Sequence, residues 1–489
     1  MDPRLVFGIT AGYFALLLIV SHFTSKNATN TTFFTGNKRS PWYVVAFGMI
    51  GASLSGVTFI SIPGEVGAII SPDEPTIKAF SYFQLVLGYL LGYFVIANVL
   101  MPLYYRLNLV SIYTYLDQRF GISTYKTGSL FFLLSQTMGA SLRLLLVAGV
   151  LQIGFFDSYG IPFGVTVLVT IVLIWVYTFR AGIKTIVWTD TLQTFFMLSA
   201  VLISIFVVAN SLGLSSKEVF RNLHQHPFSK VFFWNWQSSK YFFKQFFSGA
   251  FIAIVMTGLD QNMMQKNLTC RNIKEAKKNM YWFSIILIPT NFLFLSLGLM
   301  LYLYAETNGI SIPVQTDDLY PILALNHFSI FAGIVFLLGI IAAAFSSADS
   351  ALTALTTAFC VDFLDLKKRS EKTSKQIRLA VHIGFSTIMF LIIVIFRAIN
   401  NDSVISAVFT IAGYTYGPLL GLFAFGMFTR IKVRDKLVPV VAIISPVISY
   451  IISVNSVSWF NGYRFGFELL IVNGLLTFIG LLLIRKRTR

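Results

Sequence analysis

An all-α polytopic membrane protein with about thirteen transmembrane helices is the fold class this sequence predicts. Three observations predict it. Of 489 residues, 56% are hydrophobic and only 12% are charged, where soluble proteins carry about 25% charged residues. Stretches of mostly apolar residues recur along the whole chain at the length of about 20 residues that a membrane-spanning helix needs. Basic residues gather in alternate connections between those stretches, as the positive-inside rule requires.

The thirteen stretches cover approximately residues 6–23, 43–69, 78–103, 123–154, 161–180, 184–210, 240–262, 280–305, 329–362, 376–398, 402–428, 436–454 and 464–485. The first has only Arg4 before it and no small-x-small cleavage site after it, so it reads as a span and not as a signal peptide. Lys26, Lys38 and Arg39 follow it, which places the N-terminus outside and the next loop in the cytosol. The second is interrupted by Gly51, Ser53, Ser55, Gly56, Thr58, Ser61, Pro63 and Gly64. The third is mostly apolar from Leu85 to Val99, the fourth holds Arg143, and the sixth holds Asp190. The connection 211–239 is aromatic and basic (Phe228, Phe232, Trp234, Trp236) and is expected to lie along the outer membrane face. The seventh carries Thr257, Gly258 and Asp260, the ninth a serine-rich segment, and the tenth the apolar run Phe385 to Phe396.

With the N-terminus outside, the cytosolic segments hold 27 of the 37 basic residues, Lys266, Arg271, Lys274, Lys277 and Lys278 among them, and the C-terminus is cytosolic. The net charge of +17 therefore reports topology and contact with anionic lipid heads, and no nucleic-acid partner is expected. Asn27-Ala-Thr29 and Asn30-Thr-Thr32 match the glycosylation pattern but fall in the first cytosolic loop, so the matches are read as chance. Cys270 and Cys360 lie on the cytosolic side and imply no disulfide or metal framework. No cluster of His, Cys or carboxylates suits a membrane enzyme, and the end of the chain at "LLLIRKRTR" is not what a sensor with an appended signalling domain would show. A channel or sensor on the same scaffold is the alternative of another class.

Ionisable residues within a span are costly and are functional candidates by default. Glu65, Arg143, Asp190, Asp260 and Asp349 stand out, with internal pairing as the alternative reading. In the second stretch Pro63 removes a backbone donor and is expected to kink the helix, and carbonyls freed by a broken helix can coordinate a cation. In the ninth, Ala343, Ser346 and Ser347 stand at i, i+3 and i+4 and share one face, while Ser346, Asp349 and Ser350 share the next. Two hydroxyls and a carbonyl suit a hard cation. Asp190 stands about 9 Å into the sixth helix at 1.5 Å per residue, where a cation leaving for the cytosol would pass it.

Four segments resemble the sodium/solute symporter family, which contains the sodium–glucose, proline, iodide, pantothenate and sialic acid transporters: "YTYLDQRFG" (113–121), "AGIKTIVWTDTLQ" (181–193), "GLDQNMMQKNL" (258–268) and "SSADSALTALTTAFCVD" (346–362). "LSGVT" with "PGE" resembles the iodide and monocarboxylate branch. The resemblance implies a leucine-transporter-type core of two inverted five-helix repeats, over 41–212 and 240–430. An N-terminal segment 1–40, the loop 213–239 and a peripheral pair 431–489 complete the chain. It implies a sodium site made by carbonyls near Ser55 and Thr58, the carbonyl of Ala343, and the hydroxyls of Ser346 and Ser347. A second cation or proton site would use Asp190, Ser346, Asp349 and Ser350. Asp349 departs from the family, which often has Ser there, and could bind sodium more strongly, carry a proton or pair with Arg143.

Arg143 resembles the arginine that sialic acid members hold against a substrate carboxylate, the alternative being a salt bridge to Glu65 or Asp349. Gln84, Thr58 and Ser61 are expected as pocket partners, with Phe59 or Phe83 covering the substrate. The function implied is sodium-coupled import of a small organic solute, a sialic-acid-like or monocarboxylate anion, by alternating access, or alternatively of a sugar or other neutral solute. Sodium is the coupling ion, no cofactor is expected, and a bacterial inner membrane is the expected location.

Overall fold

The computed structural model describes residues 3–24, 38–71, 74–109, 111–178, 183–364, 371–399 and 404–486. The two glycosylation-like tripeptides lie outside the described residues. Each of the thirteen apolar stretches coincides with a helix or a bent helix pair. They are α1 (Pro3–Thr24), α2 (Trp42–Glu65), α3 (Ala79–Arg106), α4 (Ile122–Gly154), α5 (Phe163–Thr178) and α6 (Ile183–Ser211). There follow α7a (Phe242–Gly258) with α7b (Gln261–Asn267), α8 (Ile273–Thr307), α9 (Ile330–Asp362) and α10 (Glu371–Ile399). The last are α11a (Val404–Thr415) with α11b (Gly417–Phe428), α12 (Val438–Val454) and α13 (Leu469–Leu483). Eight described helices, or ten if each bent pair is one span, are long and apolar enough to cross a bilayer.

Backbone polar groups have no water partners in lipid, so spans must satisfy their hydrogen bonds internally. Side chains divide accordingly. Phe195, Phe206, Leu391, Ile395, Ile443 and Val447 point outward from α6, α10 and α12 and are all more than half exposed, as lipid-facing residues are. Inside, Phe59 stacks on Tyr320 with ring centroids 5.4 Å apart and packs against Phe294 and Phe336. Small residues let helices approach closely. A Cβ on Gly88 would overlap the Phe246 carbonyl, and one on Gly249 the Leu85 carbonyl, so α3 and α7a touch backbone to backbone.

The basic connections meet at one end of the bundle. Lys38 reaches Asn108, and Ser40 bridges Cys270. Arg119 donates to the carbonyls of Gly426, Thr429 and Ile431 at 2.8–3.1 Å. Asp435 accepts from Ser123 and Thr124. The opposite end is tied by Lys78 on Glu65 at 2.9 Å, by Ser406 on the same carboxylate at 2.8 Å, and by an antiparallel hairpin, β1 (Ile69–Ser71) with β2 (Glu74–Ile77). The connection after α6 contains an amphipathic helix, Ser216–Gln225, started by a capping box between Ser215 and Glu218. Phe220 on this helix and Trp234 and Trp236 further along the connection are exposed.

Candidate functional site

Two broken helices face each other at the centre. In α2 the break is a single residue: Ser55 has φ 50° and ψ 177° within otherwise helical backbone. Pro63, expected to kink this helix, lies within the helical stretch instead, eight residues past the break. In α7 the backbone loosens into a wide π turn over Ile254–Gly258 and bends by 71° before α7b. Tyr104 donates to the Gly258 carbonyl and Tyr113 to that of Leu259, both at 2.8 Å, so carbonyls freed at this break already have partners. The "YTYLDQRFG" segment thus supplies one of the hydroxyls that hold α7 open.

Between the breaks lies a cavity of about 80 Å³, lined by Ser53, Ser55 and Thr58 from α2, Tyr82, Tyr89 and Tyr93 from α3, Gln136 and Arg143 from α4, Thr257 and Asp260 at the α7 break, Asn291 from α8 and Tyr416 beside α11b. Arg143 and Asp260 give it one charge of each sign. Asp260 caps α7b by accepting from the Met263 amide at 3.1 Å, and accepts from the Tyr416 hydroxyl at 2.7 Å. Asp260 and Tyr416 are the charged and titratable neighbours of Arg143. Of the two carboxylates weighed as salt-bridge partners, Glu65 is engaged by Lys78 at the bundle's end, and the carboxylate beside Arg143 is Asp260.

The predicted pocket residues divide. Arg143 and Thr58 line the cavity, as does Ser55, expected at the sodium site. Gln84 does not: its amide nitrogen donates to the carbonyls of Ser81 and Lys240, and its oxygen accepts from the Phe233 amide, so it clamps the loop before α7a. Phe59 faces away into the aromatic core, Phe83 packs on Phe292, and Ser61 sits beside Asp317 toward the hairpin end. On a helix, neighbours in sequence point in different directions, and interruption of the pattern alone did not say which faced the cavity. Tyr82, Tyr89 and Tyr93 were missed, although their i, i+7, i+11 spacing puts them on one face of α3. The hydroxyls of Tyr82 and Tyr89 lie 3.1 Å apart, and that of Tyr93 sits beside Ser53 and Thr257, one from each broken helix.

Of the predicted cation residues, Asp190 and Ser346 meet, on the side of α6 that packs against α2. Gly48 and Gly51 let α2 lie against α6, where the Gly51 amide donates to Thr194 at 3.0 Å and a Cβ on Gly48 would stand 3.2 Å from that of Asp190. Asp190 in turn meets α9: Ser346 donates to its Oδ1 at 2.5 Å. Ala343, Ser346, Ser347, Asp349 and Ser350 are all buried, and Ser347 donates to the Ala343 carbonyl over a long 3.3 Å. Lys266 corrects the loop assignment. It is 1% exposed on α7b, with Nζ 2.6 Å from Asp190 Oδ2.

A profile of the sodium:solute symporter family matches residues 33–434. Over 473 residues, 95% of this chain and 90% of the relative, the sequence is 24% identical to the sodium/sialic acid symporter NanT of Aliivibrio fischeri. It is 26% identical over 443 residues to the human sodium/iodide cotransporter, spanning 85% of this chain and 65% of that one. A solved structure of a Na⁺-coupled sialic acid symporter, in a substrate-bound outward-open state, superposes over 99% of both chains with a TM-score of 0.81 at 20% identity. The fold is thus of the leucine-transporter type that the sequence motifs implied.

Proposed function

The chain belongs to the sodium:solute symporter family, and on that premise we propose that it couples sodium entry to import of an organic carboxylate by alternating access. The observation that carries the carboxylate is Arg143, a guanidinium lining the central cavity between two broken helices. A guanidinium offers a planar fork that matches a carboxylate, and this geometry discriminates strongly against neutral groups. Asp260 balances part of its charge, and an incoming carboxylate competes with it. Thr58 and the three tyrosines supply hydroxyls and ring faces around the rest of the solute. The names of the relatives, a sialic acid symporter and an iodide cotransporter, fit an anionic cargo.

Sodium is assigned to the α2 break, between carbonyls near Ser55 and Thr58 and the α9 groups Ala343, Ser346 and Ser347. The carbonyls at the α7 break are taken by Tyr104 and Tyr113, whereas α2 lies beside α9 with its serine pair. A bound cation would hold the two halves of α2 against α9 and so keep the cavity formed for the solute. Helices α2–α6 and α7–α11 are taken as the two inverted repeats, each opening with its broken helix. The basic end of the bundle is assigned to the cytosol.

Purified protein in detergent tests this by thermal unfolding with a panel of carboxylates, sugars and amino acids, in sodium or in choline. Carboxylates are expected to stabilise it in sodium alone, by about 2.7 kcal/mol at a hundred times their Kd. Arg143→Gln should abolish that stabilisation and keep the response to sodium. An acid that stabilises Arg143→Gln as well as the parent protein would refute the assignment, as would a panel in which only neutral sugars act.

A further inference from the structure

Lys266 is out of place for a basic residue of a membrane protein. Lysines near span ends normally extend their ammonium toward water. This one is 1% exposed, and its Nζ lies 2.6 Å from an Asp190 carboxylate that is itself fully buried. The ion pair of Lys78 with Glu65, by contrast, is partly exposed at the end of the bundle. Asp190 is also the acceptor for Ser346, and Asp349 and Ser350 follow on the same face of α9. A buried carboxylate that accepts from a hydroxyl suits a monovalent cation, and here the ammonium stands on one of its two oxygens while Ser346 takes the other.

We propose that Lys266 is the resident cation of the Asp190 site: its ammonium takes the place of a second sodium, so this chain binds one sodium where an unblocked site would bind two. A free sodium on the same carboxylate would stand within a few ångströms of the ammonium, and like charges that close repel strongly in a buried setting. The ammonium differs from sodium in one respect that matters for transport. It is tethered to α7b and cannot leave when the site opens, so it neutralises Asp190 throughout the cycle without being carried. The proposal rests on the assignment of the first sodium to the α2 break.

The test needs no identified solute, because the probe is radioactive sodium itself. Equilibrium binding of ²²Na⁺ to purified protein should saturate at one ion per chain. Lys266→Met keeps the apolar stem and removes the charge, and it should saturate at two, with the Hill slope for sodium-dependent thermal stabilisation rising from about one toward two. Lys266→Arg should remain at one. The double variant Asp190→Asn with Lys266→Met removes both charges together, so it carries no unpaired buried carboxylate, and it should also bind one. Two sodium ions on the parent protein would overturn the proposal, as would a folded Lys266→Met that still binds one. Should Lys266→Met not fold, the count on the parent protein and on the double variant decides: two ions on either overturns it. A parent protein that binds no sodium would instead overturn the assignment of sodium to the α2 break.

Discussion

Ser55 holds φ 50° and ψ 177°, a region that glycine enters freely and other residues at a cost of about 1–3 kcal/mol. Strain of that kind persists where the surroundings impose it. Ser55→Gly should therefore keep the sodium response and raise thermal stability, while Ser55→Val, β-branched, should lower it by about 1–3 kcal/mol. Thermal unfolding in sodium checks both. Ser346→Ala removes a hydroxyl assigned to sodium, and hydrogen bonds or ligation to a charged group are worth about 1.5–3 kcal/mol. The sodium needed for half-maximal stabilisation should rise about tenfold or more, and an unchanged titration would remove Ser346 from the site. Asp317, between α8 and α9, is buried and its carboxyl is pushed up to about 7, chiefly by desolvation, although its Oδ2 accepts from the Val404 amide at 2.8 Å. Between its unfolded value of about 4 and 7 the folded protein holds the proton more tightly. Stability should then fall as pH rises through that window and level off above it. Asp317→Asn should flatten that slope in a pH series of melting curves. Arg143 and Asp190 were legible in the sequence because a charge inside an apolar run is conspicuous. Lys266 was not, since it stands just before Arg271 and Lys274 and reads as one more basic loop residue.

Among the elements, the broken helices were the most legible, for different reasons. In α2 the run of glycine and serine marked the region, but the break falls at Ser55 and not at Pro63, because a proline inside an established helix can be carried while one residue of wrong-handed φ cannot. In α7 the pair Thr257 and Gly258 stood at the bend itself. What the sequence did not disclose is which side chains turn inward, since that depends on the rotation of each helix against its neighbours. Gln84 and Phe59 lie within a turn or two of cavity residues and face elsewhere. The crossing of α3 with α7a rests on glycine. Gly249→Ala would set its methyl group against the Leu85 carbonyl, and overpacking of this kind costs about 1–3 kcal/mol. A melting temperature equal to that of the parent protein would mean that the two helices have room to separate.

At the scale of the whole molecule, the positive-inside reading brings together loops that are far apart in sequence, and the structure ties those same loops at one end. Single cysteines placed at Lys432 and at Phe460 in a cysteine-free background should distinguish the faces. An impermeant maleimide added to intact cells should label Phe460→Cys and spare Lys432→Cys, and the reverse pattern would invert the orientation. The pair formed by Lys266 and Asp190 also bears on how the molecule would look to an electrode. If the ammonium stays at home and one sodium enters with a monocarboxylate, the load crossing the bilayer carries no net charge. A potential of 100 mV, worth about 2.3 kcal/mol for each charge moved, would then do no work on it. A tenfold sodium gradient, about 1.4 kcal/mol, would limit accumulation to about tenfold. Uptake of such an acid would pass without a current, and the same cycle carrying an uncharged solute would become voltage-driven.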